Sequence, residues 1–348
     1  MILKRTPAFF AALLATVCVC AQPARYDSVH PFVHDPVVAE CDGSWYMFTT
    51  GLGIDILKSS DFQNWSYEGH VFDKAPEWAV GSVPGYNGHT WAPDICFYDG
   101  LYYLYYSCSS FGKNTSAIGV ATNRTLDPDS RKYKWKDHGC VVSSVAGRDL
   151  WNAIDPNLFI DVDGTPWLSF GSFWGGIKLV RLDSSLLKVA EPQEWYPICR
   201  RPEGTAEDTS QTDTKITADP RGTDYDPGNG AVEAPFIVRR NGQYYLFVSY
   251  DLCCRGAQST YKVVVGRADK VTGPYYDAAG IPLMQGGGTV VVSGDDRFPG
   301  VGHCAVVRRD GDDYLVFHAY DREYDYTSVL LTRRIEWDSE GWPKVILQ

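Results

Sequence analysis

The sequence predicts an all-β fold, a five-bladed β-propeller, and three observations carry that prediction. One short pattern recurs five times, each copy reads as a hairpin, and a further strand-like run follows each hairpin. The copies are HDPVVAECDGSWYMFTT from His34, WAPDICFYDGLYYLYYS from Trp91, IDPNLFIDVDGTPWLSFG from Ile154, EAPFIVRRNGQYYLFVS from Glu233 and GHCAVVRRDGDDYLVFH from Gly302. They begin 57, 63, 79 and 69 residues apart, more than a minimal blade needs, so the surplus is assigned to loops. No long stretch shows helical periodicity.

In four copies the turn glycine (Gly43, Gly100, Gly242 or Gly311) stands seven residues after Pro36, Pro93, Pro235 or Cys304, and in the third Gly164 stands eight after Pro156. Each glycine follows Asp or Asn, a pair that tolerates the two positive φ angles of a tight hairpin turn. Asp42, Asp99 and Asp163 are therefore turn formers. Third strands are expected over residues 54–59, 117–122, 177–182, 262–268 and 328–334. Tyr102, Tyr103, Tyr105, Tyr244 and Tyr245 fall on second strands and are expected to pack between blades.

In a propeller the first strand of every blade lines the central axis. The position before the Pro or Cys anchor is Asp35, Ala92, Asp155, Ala234 and His303, and one residue earlier stand His34, Trp91, Ile154, Glu233 and Gly302. Three carboxylates and a histidine thus converge from four blades. Like charges are costly to bury together unless one is protonated or a cation intervenes. Two chemistries use such a group: glycoside hydrolysis, with a protonated acid and an ionised carboxylate, or a cation held by hard oxygen ligands.

The composition is that of a globular chain, with 348 residues, 44% hydrophobic and 22% charged, which excludes disorder and coiled coil. Its formal charge is −11 and no basic run occurs, so no nucleic-acid partner is expected. Abundant Tyr and Trp suit a neutral polyhydroxylated ligand, since aromatic faces stack on sugar rings. Lys4 and Arg5, an apolar stretch from Ala8 to Val19, and small residues up to Ala21 form an export signal over residues 1–21, too short for a transmembrane helix. A single propeller domain is expected over residues 22–348, exported to the periplasm, the cell surface or the medium and acting as a monomer. A lipoprotein signal at Cys18 or Cys20 ranks second, because Val17 and Val19 are poor neighbours for a lipidated cysteine. The other eight cysteines match no zinc spacing, and Cys96 and Cys108 are taken as small buried hydrophobes.

His34-Asp35-Pro36, Trp91-Ala92-Pro93-Asp94, Ile154-Asp155-Pro156-Asn157, Val232-Glu233-Ala234-Pro235 and Gly302-His303 together resemble the five-bladed propellers of glycoside hydrolase family 43. Within that family the chain looks most like the arabinanases that cut α-1,5-linked L-arabinan. The resemblance runs from about Tyr26 to the C-terminus and includes Ser259-Thr260-Tyr261, Gly266-Arg267 and Thr272-Gly273-Pro274-Tyr275. It implies Asp35 as the general base, Glu233 as the general acid and Asp155 as the carboxylate that raises the acid's pKa and orients it. It implies inversion, for which base and acid stand roughly 6.5–9.5 Å apart. It implies His303 as the protein ligand of a calcium-type ion held mostly by water in the axial channel, and no organic cofactor. It places Trp91 and Phe111 as aromatic walls of the sugar cleft and His34, Asn152, Ser172 and Phe173 among the substrate-binding residues.

Internal cleavage of arabinan is the expected mode. The alternatives are attack from a chain end, an α-L-arabinofuranosidase or β-xylosidase of the same fold, and a non-catalytic carbohydrate-binding propeller. Cys253-Cys254, followed by Arg255-Gly256, is either a disulfide between adjacent residues beside the cleft or a pair of free thiols.

Overall fold

The structure, a computed structural model, describes residues 27–202 and 230–348; the export signal expected over residues 1–21 lies outside them. The first blade contains β1 (Val37–Cys41), β2 (Ser44–Thr49), β4 (Asp55–Ser59) and β5 (Ser66–His70), while β3 (Gly51–Leu52) leaves it to join the second. The second blade adds β6 (His89–Tyr98), β7 (Leu101–Cys108), β8 (Ser116–Asn123) and β9 (Lys136–Ser144). The third is β10 (Asn157–Ile160), β11 (Pro166–Phe170), β12 (Ile177–Arg181) and β13 (Trp195–Cys199). The fourth is β14 (Val232–Arg240), β15 (Gln243–Tyr250), β16 (Lys262–Ala268) and β17 (Thr289–Ser293). The fifth is β18 (Val301–Arg309), β19 (Asp312–Asp321) and β20 (Thr327–Arg334). All pairings within the blades are antiparallel, and the molecule is a five-bladed β-propeller.

The hairpin turns form for the reason the sequence suggests. In four of them both central residues are left-handed: Asp42 and Gly43 (φ 51° and 77°), Asp99 and Gly100 (47° and 78°), Asn241 and Gly242 (50° and 84°), and Asp310 and Gly311 (53° and 90°). The third copy carries its extra residue in a five-residue loop between Ile160 and Pro166, closed by Gly164 N–H donating to Asp161 O at 2.9 Å. The third strands fall within a residue or two of the expected ranges. A short helix, α1 (Glu77–Ser82), is the one α-helical element among the described residues.

Five hydrophobic clusters fill the five seams between neighbouring blades. The second-strand tyrosines reach across those seams with their hydroxyls: Tyr102 donates to Glu40 O at 2.8 Å and Tyr244 to Asp161 Oδ1 at 2.6 Å, while Tyr105 bonds to Leu186 O. The ring closes at the fifth blade. Phe32 bridges Val329, Val33 N–H donates to Ser328 O at 3.2 Å, and Leu330 N–H donates to Pro31 O at 2.9 Å, so the segment before the first blade takes the outer place beside β20. Trp342, Val345 and Leu347 of the C-terminal segment, which contains the ribbon of β21 (Glu336–Trp337) and β22 (Pro343–Lys344), cover the seam between blades four and five.

Candidate active site

At the same repeat position, within or just before each first strand, the backbone enters the left-handed region: Asp35 (φ 54°), Ala92 (43°), Asp155 (58°), Ala234 (55°) and His303 (50°). A side-chain-bearing residue there costs about 1–2 kcal/mol, so the surroundings must hold it. Pairing with the second strand slips at this point, between Trp91 and Asp94, Glu233 and Phe236, and Gly302 and Ala305. Such bulges re-aim a side chain. The result is a cavity of about 590 Å³ whose lining includes all ten residues singled out in the sequence: Asp35, Asp155, Glu233, His34, Trp91, Phe111, Asn152, Ser172, Phe173 and His303.

Asp35 is buried, 7% exposed, and surrounded by donors. Its Oδ2 accepts from Thr50 Oγ1 at 2.5 Å, and its Oδ1 faces His34 Nδ1 at 2.7 Å and His303 Nδ1 at 3.0 Å. Burial works to raise its pKa, but the charges and hydrogen bonds of His303 and His34 prevail and hold the carboxyl well below the usual range. The same contacts raise His303 from 6.5 to about 9 against the opposing effect of its burial. Both ring nitrogens of His34 are engaged, since Nε2 meets the Tyr320 hydroxyl at 3.0 Å. His318, fully buried, stacks on His34 at 3.9 Å, and burial drives its pKa down, so it is neutral.

Asp155 differs from Asp35 although it occupies the equivalent position. Burial pushes its pKa well above the ordinary carboxylate range; His303 opposes this, and the charges of Glu233 and Asp35 add to it. Its Oδ2 accepts the N–H of Ala234, next to Glu233, at 3.1 Å. The Glu233 carboxyl is clamped by two hydroxyls, Ser172 Oγ on Oε2 and Tyr261 Oη on Oε1, each at 2.8 Å.

Ser172 reaches Glu233 because the connection after β11 leaves its own blade. Gly171, Phe173, Trp174 and Gly176 all have positive φ (137°, 54°, 41° and 73°). Ser172 bridges Glu233, and Phe173 N–H donates to Val232 O at 2.8 Å, tying blade three to blade four. Gly175 is indispensable in this turn, for a Cβ there would stand 2.1 Å from Leu150 O.

Aromatics line the same cavity as the carboxylates. Trp91 is fixed by its Nε1–H donating to His89 Nδ1 at 2.8 Å, and Phe111 is 77% exposed on the loop after β7. Asn152 accepts from Ser116 Oγ at 2.7 Å. Cys253 and Cys254 are joined as a disulfide and line the cavity, which resolves the choice that the sequence left open. Cys254 N–H donates to the Tyr320 hydroxyl at 2.7 Å. The cavity is thus lined by charged and polar groups together with aromatic and other apolar side chains.

Around His303 the described residues offer one imidazole and, beside it, Asp35 Oδ1. Neither of the clusters that gather three metal-ligating side chains, His34 with Cys253 and Cys254 or His34 with Asp35 and His318, includes His303. A hard cation takes six to eight oxygen ligands, so these side chains do not form a calcium cage.

Thr50, His318, Tyr261 and Tyr320 also bond to Asp35, Glu233 or His34, and the sequence did not assign them to the site. Thr50 and His318 close the first and fifth copies of the repeat, so their signal was positional. Tyr261 and Tyr320 had no signal that separates them from packing tyrosines.

The model of glycosyl hydrolases family 43 matches residues 29–343. The chain is 48% identical over 313 residues to the extracellular exo-α-(1→5)-L-arabinofuranosidase of Cellvibrio japonicus, covering 90% of this chain and 86% of that protein. It is 40% identical over 340 residues to the extracellular endo-α-(1→5)-L-arabinanase 1 of Bacillus subtilis, covering 97% and 94%. Among solved structures, the α-L-arabinanase of Cellvibrio cellulosa complexed with arabinohexaose superposes with a TM-score of 0.85 at 47% identity, covering 91% of this chain and 96% of that one. With that match spanning all five blades and every carboxylate of the cavity, the chain belongs to glycosyl hydrolases family 43.

Proposed function

We propose that this protein hydrolyses α-1,5-L-arabinofuranosidic bonds of arabinan with inversion, and that it does so outside the cytoplasm as a monomer. The observation that carries the reading is the unequal setting of two equivalent aspartates around a clamped Glu233: Asp35 is met by Thr50, His34 and His303, which hold its carboxyl well below the usual range, whereas Asp155 accepts the Ala234 N–H beside Glu233 and burial pushes its carboxyl up. Asp35 is the general base. A water attacks the anomeric carbon and passes its proton to Asp35, while Glu233 protonates the departing glycosidic oxygen, and solvent returns the proton from base to acid. Ser172 and Tyr261 can donate or accept, so they hold Glu233 through both protonation states. Asp155 orients the acid through the Ala234 N–H. Trp91 and Phe111 flank the sugar chain, with His34, Asn152 and Phe173 completing the cleft. His303 is taken up by its pairing with Asp35 and the side chains around it do not form a cation cage, so no step of the reaction runs through the calcium-type ion expected there.

Attack from a chain end is the better supported mode, because the relative named as an exo-enzyme is the more similar in sequence, although the one named as an endo-enzyme is matched over more of its length. Both relatives are named extracellular, in keeping with export, and no helix among the described residues is long and apolar enough to cross a membrane. The test is the product profile on debranched linear arabinan with xylan as control. One short product from the first time points establishes attack from the end, a ladder of oligomers establishes internal cleavage, and activity on xylan alone refutes the substrate. Proton NMR of the first product should show the β-anomer; the α-anomer would refute inversion.

A further inference from the structure

The five copies of the repeat end on Thr50, Ser107, Gly171, Ser249 and His318, each seven residues after its hairpin glycine, where the second strand meets the axis. Four of these side chains make the same bond. Each accepts the backbone N–H of the left-handed axial residue of the next blade: Ala92 N–H to Thr50 Oγ1 at 2.8 Å, Asp155 N–H to Ser107 Oγ at 2.9 Å, His303 N–H to Ser249 Oγ at 2.9 Å, and Asp35 N–H to His318 Nδ1 at 3.1 Å. Gly171 cannot, having no side chain, and a Cβ there would stand 2.7 Å from Gly176 O. In that one blade the N–H of Ala234 goes to the carboxylate of Asp155 instead.

We infer that the residue seven places after each hairpin glycine is a positioning residue for the axial residue of the following blade, and that the hydroxyl of Thr50 and the missing side chain of Gly171 give the two axial aspartates their different settings. Thr50 accepts from Ala92 and donates its own proton to Asp35 Oδ2 at 2.5 Å, so one hydroxyl fixes the backbone of blade two and the carboxylate of blade one. A left-handed residue with an unsatisfied buried N–H has little to hold it there. In blade three the gap at Gly171 lets Asp155 itself take the place that Thr50 occupies beside Asp35, which brings its carboxyl against the backbone next to Glu233. Ser107 holds Asp155 from behind, through its N–H.

This inference rests on the proposed roles of Asp35 and Asp155, and the test separates the two. Steady-state kinetics on linear arabinan are measured for Thr50→Val, Thr50→Ser, Ser107→Ala and Ser107→Thr, with Asp35→Asn alongside and folding checked by thermal melting. Because sub-ångström placement governs proton transfer, Thr50→Val and Ser107→Ala should each lower kcat by about 10- to 100-fold with KM changed by less than about threefold. Thr50→Ser and Ser107→Thr, which exchange the hydroxyl residues that blades one, two and four already use, should restore kcat to within about threefold. Thr50→Val at wild-type kcat, or Thr50→Ser as impaired as Thr50→Val, overturns the inference. If Thr50→Val does not fold, the Ser107 pair decides on the same criteria. An inactive Asp35→Asn beside a fully active Thr50→Val refutes the positioning role alone, whereas an active Asp35→Asn refutes the underlying assignment of the base.

Discussion

At the scale of single residues the site depends on hydrogen bonds that two similar carboxylates receive differently. Glu233 is held by two hydroxyls, and a hydrogen bond to a charged group is worth about 1.5–3 kcal/mol. Tyr261→Phe and Ser172→Ala should therefore each reduce kcat by about 10- to 100-fold with smaller changes in KM, read from initial rates. The ion pair of Asp35 and His303 carries a pH signature. His303 is raised from 6.5 to about 9, so its contribution to stability is complete below 6.5 and is lost as pH rises through 9. In chelator-treated protein the unfolding free energy should fall between pH 6.5 and 9, and His303→Gln should flatten that fall. Equal slopes in wild type and variant would exclude the pair as its source. The three carboxylates were legible in the sequence because the repeat aligns them. Tyr261 and Tyr320 were not, because a tyrosine that bonds Glu233 or His34 and one that fills a seam are the same residue until the register is known.

At the scale of elements, the first strands are tied to one another by polar side chains as well as by packing. Asp94 accepts from Leu158 N–H at 2.7 Å and from Asn157 Nδ2 at 3.3 Å, and Asn157 Oδ1 accepts Ile237 N–H at 2.9 Å, a chain through blades two, three and four. Asp94→Ala strands two buried donors and should cost ~2–4 kcal/mol in a denaturant melt. A loss under ~0.5 kcal/mol would show that water replaces the carboxylate. Hairpins and third strands were readable because Asp-Gly or Asn-Gly turns and short β-rich runs are local signals. Outer strands such as β5 and β9 were not delimited, since β5 is almost wholly exposed and the first half of β9 is polar and at most half-buried, so neither shows a continuous apolar pattern. Helix α1 has six residues, too few to show a helical period.

At the scale of the whole molecule, closure of the ring keeps five blades pointing at one axis. Five copies could be counted in the sequence, but which segment closes the ring could not, because the bridge from Phe32 to Val329 joins the two ends of the chain. Deleting residues 27–32 should lower the melting temperature by roughly 10 °C and broaden the transition, since blades one and five would then meet without their shared strand. A melt unchanged from wild type would place closure elsewhere, on the C-terminal segment against β17. The axis itself is tested most directly at Glu233. Hydrolysis of linear arabinan and calorimetric binding of arabino-oligosaccharides should be measured together for wild type and Glu233→Gln. If Glu233 is the proton donor proposed above, this change should lower kcat by about 10²–10⁴-fold and leave binding within a few fold. Hydrolysis by Glu233→Gln at a rate close to wild type, or a wild-type protein that binds arabinan and releases no sugar from it, would contradict the assignment.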